Sequence, residues 1–158
     1  MYKVRLWSVR HSGFMHSIYN AVESVLLKMD PVWARIGYEK VDSALLGVEK
    51  FSKGLLFDSQ SCGQCTLSDT GMACPMNCPK SLRNGPCGGV RGNGNCEVDP
   101  DMKCVWVTAW QGSQNMREGV QRIQIIQAPL DNRRRGTSAW LRVIREKLAI
   151  SASNNNAL

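Results

Sequence analysis

All seven cysteines of this 158-residue chain lie between Cys62 and Cys104. The residues between them are rich in Gly, Pro, Asn and Asp, and the few apolar residues follow no sustained period. A segment of this composition buries too little apolar surface to offset the conformational entropy lost on folding. We therefore expect the segment to need a ligand to fold, and the thiols are the donors that the sequence supplies.

Metal binding explains these thiols better than a disulfide framework does. Their number is odd, so pairing all of them would leave one unpaired. The first residues, MYKVRLWSVRH, lack the apolar stretch and small-residue cleavage site of a secretory signal, which predicts a cytoplasmic protein. Clustered cysteines in that compartment more often bind metal than form disulfides. No apolar run reaches the ~18 residues of a membrane span, so none is predicted.

The cysteine spacing favours an iron–sulfur site, with zinc, disulfides and free thiols as alternatives. The single C-x2-C pair lets two thiolates from one tight loop bind one metal centre, and Gly63 frees the backbone between them. Cys74 and Cys78 each precede a proline, a step that recurs in ferredoxin ligand runs. Structural zinc sites usually pair two C-x2-C knuckles or combine two Cys with two His. The candidate ligands are Cys62, Cys65, Cys74, Cys78, Cys87, Cys96 and Cys104.

Seven thiols are more than one four-ligand site needs and one too few for two such sites. A second cluster therefore needs a non-cysteine ligand, such as an oxygen of Asp58 or Ser59, or takes a three-iron form. Alternatively, one cluster is bound and the remaining thiols are structural or hold a second metal. We interpret His11 and His16, far upstream, as surface or core residues and not as ligands.

The chain divides into four regions by pattern. These are an N-terminal helical region (1–57), a cysteine-rich cluster-binding region (58–110), a C-terminal strand and helix (111–150) and a flexible tail (151–158). The fold class that we predict is α+β: a small irregular cysteine-rich metal-cluster domain flanked by N-terminal and C-terminal helices.

Helical periodicity predicts the elements of the flanking regions. One apolar series runs from Ile18 to Met29, with Ser17 as its cap and Pro31 as its end, and another runs from Val41 to Leu55. They indicate a helical hairpin with its own core, or helices docked on a larger partner. RIQIIQAP, residues 122–129, predicts a strand, and a helix follows that is capped by Thr137 or Ser138.

Charge and motifs leave little support for other functions. The net charge of +7 is dispersed, so we predict no nucleic-acid partner, although a nucleic-acid-binding zinc module is an alternative. No glycine motif fits a phosphate-binding loop, and no histidine is placed to activate a cysteine nucleophile. We assign no catalytic residue.

Three strings between Cys62 and Trp110 resemble the methylenetetrahydrofolate reductase C-terminal domain family. They are CGQC, TGMACPMNCPKSLRNGPCGG and GNCEVDPDMKCVWVTAW, and the likeness is looser over the helical flanks. The family includes the small cysteine-rich partner subunit of two-subunit bacterial methylenetetrahydrofolate reductases.

The resemblance implies a non-catalytic subunit that carries one or two iron–sulfur clusters, of the 4Fe–4S type. These would take electrons from a reduced carrier and feed the flavin of a folate-binding barrel subunit. The implied ligands are the same seven cysteines. Relatives often carry a further Cys three positions before the first, where this chain has Ser59, so a second four-iron cluster lacks a ligand. A structural zinc module that stabilises the flavoenzyme partner is the alternative.

Overall fold

A computed structural model describes residues 2–155, and the chain is mostly helical over that range. Residues 58–104 lie between the fourth and fifth helices and contain mainly turns, with two isolated antiparallel bridges, Val90–Cys96 and Asn95–Lys103. An irregular cysteine-rich region is thus flanked by helices on both sides. The helices are α1 (Tyr2–Arg10), α2 (Ser12–Lys28), α3 (Asp30–Ile36), α4 (Tyr38–Phe57), α5 (Val105–Gln114), α6 (Gly119–Arg122) and α7 (Ala139–Asn155), and 3-10 turns form at Pro75–Asn77 and Asn132–Arg134.

The predicted α+β class is wrong, because residues 2–155 contain no sheet. The strand expected at 122–129 is an irregular segment that follows α6. Side chains satisfy its backbone in place of a neighbouring strand. Asn84 Nδ2 donates to the Gln127 carbonyl at 2.9 Å, and the Gln127 N–H donates back to Asn84 Oδ1 at 2.8 Å. Arg83 Nε donates to the Ala128 carbonyl at 2.8 Å.

The helix boundaries differ from the predicted ones in instructive ways. α2 begins at Ser12, so Ser17 lies inside the helix, where its hydroxyl donates to the Gly13 carbonyl at 2.9 Å. Pro31 lies in the first turn of α3, where a missing N–H costs nothing. Ser138 is confirmed as the cap of α7, because its Oγ accepts the Leu141 N–H at 3.2 Å.

α7 continues through residues 151–155, part of the segment for which we predicted a flexible tail. Residues 156–158 of that tail lie outside the described residues. The division of the chain into four regions stays a prediction. No helix within residues 2–155 is both long enough and apolar enough to cross a membrane.

Two apolar clusters join the cysteine region to the helices. One cluster contains Met15, Phe57, Leu67, Met72, Cys74 and Met116, and the other contains Val9, Ala73, Cys104, Trp106 and Ala109. Gly71 and Gly112 let the loop approach α5 closely, because a Cβ at Gly71 would lie 2.2 Å from the Ala109 carbonyl oxygen. The cysteine region therefore has no separate core and shares that of the helices.

α4 buries two charged residues and exposes part of the apolar face that its periodicity predicts. Glu49 and Lys53 are 6% and 3% exposed, whereas Phe51 is 74% exposed and Val48 and Leu55 also face solvent. The reason is the packing of α4 against α1, α3 and α7, which covers its polar side. Val41, at one end of the predicted apolar face, is buried at 5% exposure, so the uncovered part of that face is the stretch from Val48 to Leu55.

The buried Glu49 carboxylate connects α4 to the start of α7. Lys53 Nζ lies 2.7 Å from Glu49 Oε1. The Ser138 hydroxyl donates to Glu49 Oε2 at 2.7 Å, and the Trp140 N–H donates to the same oxygen at 3.3 Å. A carboxylate at a helix N-terminus also interacts favourably with the helix dipole. Both charges are thus compensated by direct partners.

We predict that Glu49→Ala lowers the free energy of unfolding by about 3–5 kcal/mol, because it leaves the Lys53 ammonium buried without its counter-charge. Urea denaturation measures this change. The matched control is Glu146→Ala, which removes a half-exposed partner of Arg142 and should cost only about 0.3–0.5 kcal/mol. Equal losses in the two variants would refute the role given to Glu49.

Candidate metal centre

The structure leaves all seven cysteines as free thiols. Five of them are buried, and Cys65 and Cys87 are half-buried. Free and sheltered thiols are the form in which cysteine is available to bind soft metals, including zinc and iron–sulfur groups.

Three of the thiols converge on one small cavity. Cys62, Cys65 and Cys74 line it together with Ser59, and its volume is about 20 Å³. Burial raises the pKa of the Cys74 thiol, and the charges of Cys65 and Cys62 add to that rise. The C-x2-C loop and the first Cys-Pro step therefore border the same cavity.

The C-terminal segment holds the C-x2-C loop in place. Gly63 has a φ of +72°, and a Cβ there would lie 2.1 Å from the Arg134 carbonyl oxygen. Arg142 Nε donates to the Gly63 carbonyl at 3.0 Å. The Gln64 side chain accepts the Asp131 N–H at 2.6 Å. The loop between the two thiols is thus held by residues about 70 positions away along the chain. Its shape therefore depends on long-range contacts.

Arg83 is a site residue that the spacing of the cysteines did not reveal. Its side chain lines the same cavity, and its Nη2 donates to the Gln64 carbonyl at 2.9 Å. Because Arg83 also binds the Ala128 carbonyl, it joins the C-x2-C loop to the irregular segment after α6. The only hint in the sequence is its position inside the cysteine-rich string that carries the family resemblance.

The structure distinguishes between the two oxygen ligands that the sequence suggested, Asp58 and Ser59. Ser59 lines the cavity with the three thiols, and its Oγ accepts the Ser61 N–H at a long 3.4 Å. Asp58 ends α4 and pairs with Arg5, whose Nη1 lies 3.8 Å from its Oδ2. Ser59 is therefore the better placed of the two.

A second pair of thiols lies near Lys80. A hydrogen bond with Glu97 raises the pKa of Lys80, and the charges of Cys87 and Cys96 add to the rise. Cys96 is held by its N–H, which donates to the Met102 carbonyl at 2.9 Å. Lys80 pairs with Glu97, the residue after Cys96, so its positive charge lies in the same loop as that thiol.

Cys78 and Cys104 are also buried. Cys104 belongs to the apolar cluster with Val9 and Trp106, and the Cys78 N–H donates to the Pro75 carbonyl at 3.0 Å. Over residues 2–155, no three Cys, His, Asp or Glu side chains form a ready single-ion site. Of the seven predicted ligands, Cys62, Cys65 and Cys74 line one cavity, and the binding of metal by any of the seven stays a prediction.

Neither histidine lines the three-thiol cavity. His11 is exposed and its ring lies 4.6 Å from the Trp7 ring, centroid to centroid. His16 is buried, and burial followed by the charge of Arg122 lowers its pKa.

Comparison with protein families identifies the chain. A family model described as methylene-tetrahydrofolate reductase C terminal matches residues 38–133. The chain belongs to this family. The match runs from α4 to the second 3-10 turn and contains all seven cysteines, which confirms the resemblance seen in the sequence. No curated protein and no solved structure matches the chain.

We predict that Gly63→Ala disrupts the C-x2-C loop of this domain. A side chain at positive φ costs about 1–2 kcal/mol, and the clash with the Arg134 carbonyl adds to that cost. Gly88→Ala is the matched control. Gly88 has a similar φ of +69°, but a Cβ added there would meet no atom within 4 Å. Urea denaturation should show the larger loss for Gly63→Ala, and thiol labelling should show faster reaction at Cys62. If the two variants behave alike, the contact with Arg134 is not what shapes the loop.

Proposed function

We propose that this chain is an iron–sulfur subunit of a methylenetetrahydrofolate reductase. It holds a cluster at Cys62, Cys65 and Cys74 and passes electrons to the flavin of a separate folate-binding barrel subunit. The supporting observation is the convergence of three free thiols on one cavity in a member of this family. The chain is not assigned the folate chemistry itself, and the folate and flavin sites belong to the barrel subunit.

The residues around the cavity suit a sulfur-ligated metal group in their donor chemistry. Three thiols supply soft ligands, and the Ser59 hydroxyl lies at the same cavity as a fourth donor. Arg83 fixes the loop and adds a positive charge near the thiolates. When bound, an iron–sulfur cluster would accept and release one electron at a time. In this proposal a reduced carrier supplies the electrons and the partner's flavin takes them up.

The remaining thiols have a different part in this proposal. Cys104 packs in the apolar core and serves the fold. Cys87 and Cys96, beside Lys80, are the pair from which a second metal site would be built, with Cys78 as the nearest unassigned thiol along the chain. The three-thiol cavity is therefore the first place to look for metal.

A structural zinc module is the second candidate. The cavity of about 20 Å³ favours it, because that volume suits one water-sized particle and a single ion is of that size. In this case the chain would stabilise the flavoenzyme partner without carrying electrons.

Anaerobic purification of the full chain, followed by metal and sulfide analysis, distinguishes the two candidates. We expect iron and acid-labile sulfide, and an electron paramagnetic resonance signal after reduction with dithionite. Ser59→Cys adds a thiol to the cavity, so it should slow the loss of iron to a chelator by at least about tenfold. Residues that only support a metal ligand already change metal affinity by about 10- to 100-fold, and a direct ligand should do no less.

Ser61→Cys is the matched control for this experiment, because it adds a thiol two residues away from Ser59 at a position that does not line the cavity. It should leave the rate of iron loss unchanged. Stoichiometric zinc without iron would favour the structural module. Iron retention that is equal in the two variants would show that the metal is not held at this cavity.

The exposed apolar face of α4 is the surface that we assign to the barrel subunit. Val48, Phe51 and Leu55 project from one side of the helix, while the charged Glu49 and Lys53 are buried on the other. A helix that buries an ion pair and leaves a phenylalanine 74% exposed presents apolar surface that a monomer would normally cover. This helix also lies within the range that matches the family.

We predict that Phe51→Asp weakens binding to the catalytic subunit by at least about tenfold, because it places a charge in an apolar interface. Titration calorimetry or co-purification with the native barrel subunit measures the effect. Val98→Asp is the control, since Val98 is also exposed, at 55%, but belongs to the cysteine region. Unchanged affinity in the Phe51 variant would exclude this face.

A further inference from the structure

A groove between α1 and α5 is separate from the three-thiol cavity. Its volume is about 640 Å³. Ligand sites in proteins usually occupy about 300–1,000 Å³. Val9 and Val107 line the groove and belong to the second apolar cluster, so its floor is part of the packed core. No residue lines both this groove and the three-thiol cavity.

Each of the two helices turns one side to the groove. Lys3, Trp7 and Arg10 line it from α1, where they are four and three residues apart. Val107 and Gln111 line it from α5 and are four residues apart. Residues at these spacings lie on the same side of a helix. The basic start of the chain therefore forms one wall of the groove.

The positive charge around the groove is not neutralised within the protein. Lys3, Arg10 and Lys103 line the groove, and no described Asp or Glu does. None of the three forms an ion pair among residues 2–149. A cleft of about 650 Å³ between α4 and α7 differs in this respect, because three carboxylates line it with its three arginines and Arg142 pairs with Glu146. Cations gathered without counter-charges repel one another, and a bound anion would offset that repulsion.

Trp7 gives the groove an aromatic wall. The residue is 49% exposed although it lines the groove. The His11 ring packs against the indole at 4.6 Å between centroids, and His11 Nδ1 donates to the Trp7 carbonyl at 2.9 Å. An exposed indole that is held in place beside cations offers a stacking surface for a planar ring.

We propose that the groove between α1 and α5 binds a nucleoside diphosphate, with the base stacked on Trp7 and the phosphates against Lys3, Arg10 and Lys103. Guanidinium and ammonium groups are the side chains with which proteins bind phosphate. An uncharged ring would leave the cations without a partner, and an inorganic anion would leave the indole exposed. The inference goes beyond the proposed function, since α1 lies outside the residues 38–133 that match the family.

The test is a calorimetric titration of the full chain with ADP, without added magnesium. Adenosine supplies the ring without the phosphates, and pyrophosphate supplies the phosphates without the ring. We expect ADP to bind at least about tenfold more tightly than either, because stacking one base on an aromatic side chain contributes about that factor. Raising the salt concentration should weaken the binding of ADP, since the three cations are exposed to solvent.

Trp7→Ala should lower the affinity for ADP about tenfold, to that for pyrophosphate, and Trp7→Phe should restore most of it because a phenyl ring also stacks. Trp110→Ala is the matched control. Trp110 is 46% exposed and lies on α5 but does not line the groove, so this variant should bind ADP as the wild type does.

Arg10→Gln tests the polar half of the groove. It should lower the affinity for both ADP and pyrophosphate about three- to fivefold, the upper range for an exposed charge pair, and leave that for adenosine unchanged. Arg35→Gln is its control, because Arg35 is exposed on α3 and does not line the groove. This pair carries the test if Trp7→Ala fails to fold, which far-ultraviolet circular dichroism would show.

The outcomes separate this inference from the proposed function. A folded wild-type chain that does not bind ADP, or binds ADP and pyrophosphate equally, overturns the inference. Equal effects of Trp7→Ala and Trp110→Ala, or of Arg10→Gln and Arg35→Gln, also overturn it. A chain that holds iron but fails these tests keeps the proposed function, and one that passes them without iron keeps the inference alone.

Discussion

The buried pair of Glu49 and Lys53 connects the parts of the chain on which the structure depends. Glu49 holds the N-terminal turn of α7, and Lys53 reaches the hydroxyl of Tyr19 on α2. Two charges inside a small protein are costly unless each has a partner with good geometry. Since the pair lies on α4 and its other partners come from α2 and the start of α7, it is fully compensated only when those three helices are assembled. The same assembly packs Tyr19 and Cys65 against one apolar cluster.

The cysteine region depends on that assembly as well. Its Leu67 and Met72 enter a cluster with Met15 and Phe57, and its loop approaches α5 through Gly71 and Gly112. The region therefore draws stability from the helices as well as from any metal. In our proposal the bound metal group adds further stability to the cysteine region. The thiols then hold the metal, and the helices pack around the loop that carries them.

The polarity of α4 relates the fold to the proposed partner. Burying the ion pair on one side of the helix leaves Val48, Phe51 and Leu55 exposed on the other, where they are available to a second protein. In our proposal this outer side contacts the barrel subunit. A single helix would then contribute both to the shared core and to the docking surface.

The sequence by itself determined the character of the cysteine region, the presence of helices on both sides, the cap at Ser138 and the family. These depend on local features, namely turn residues, helical period and cysteine spacing, that are readable along the chain. Three outcomes were decided by tertiary structure alone: the missing strand at 122–129, the burial of Glu49 and Lys53 in α4, and the position of three thiols at one cavity. The strand is absent because Asn84 and Arg83, distant in sequence, bind its backbone, and the charged residues of α4 are buried because α1, α3 and α7 pack against that helix. Contacts between distant residues leave no periodic pattern in the sequence, so the neighbours of a thiol or a helix face become known only when the chain is folded.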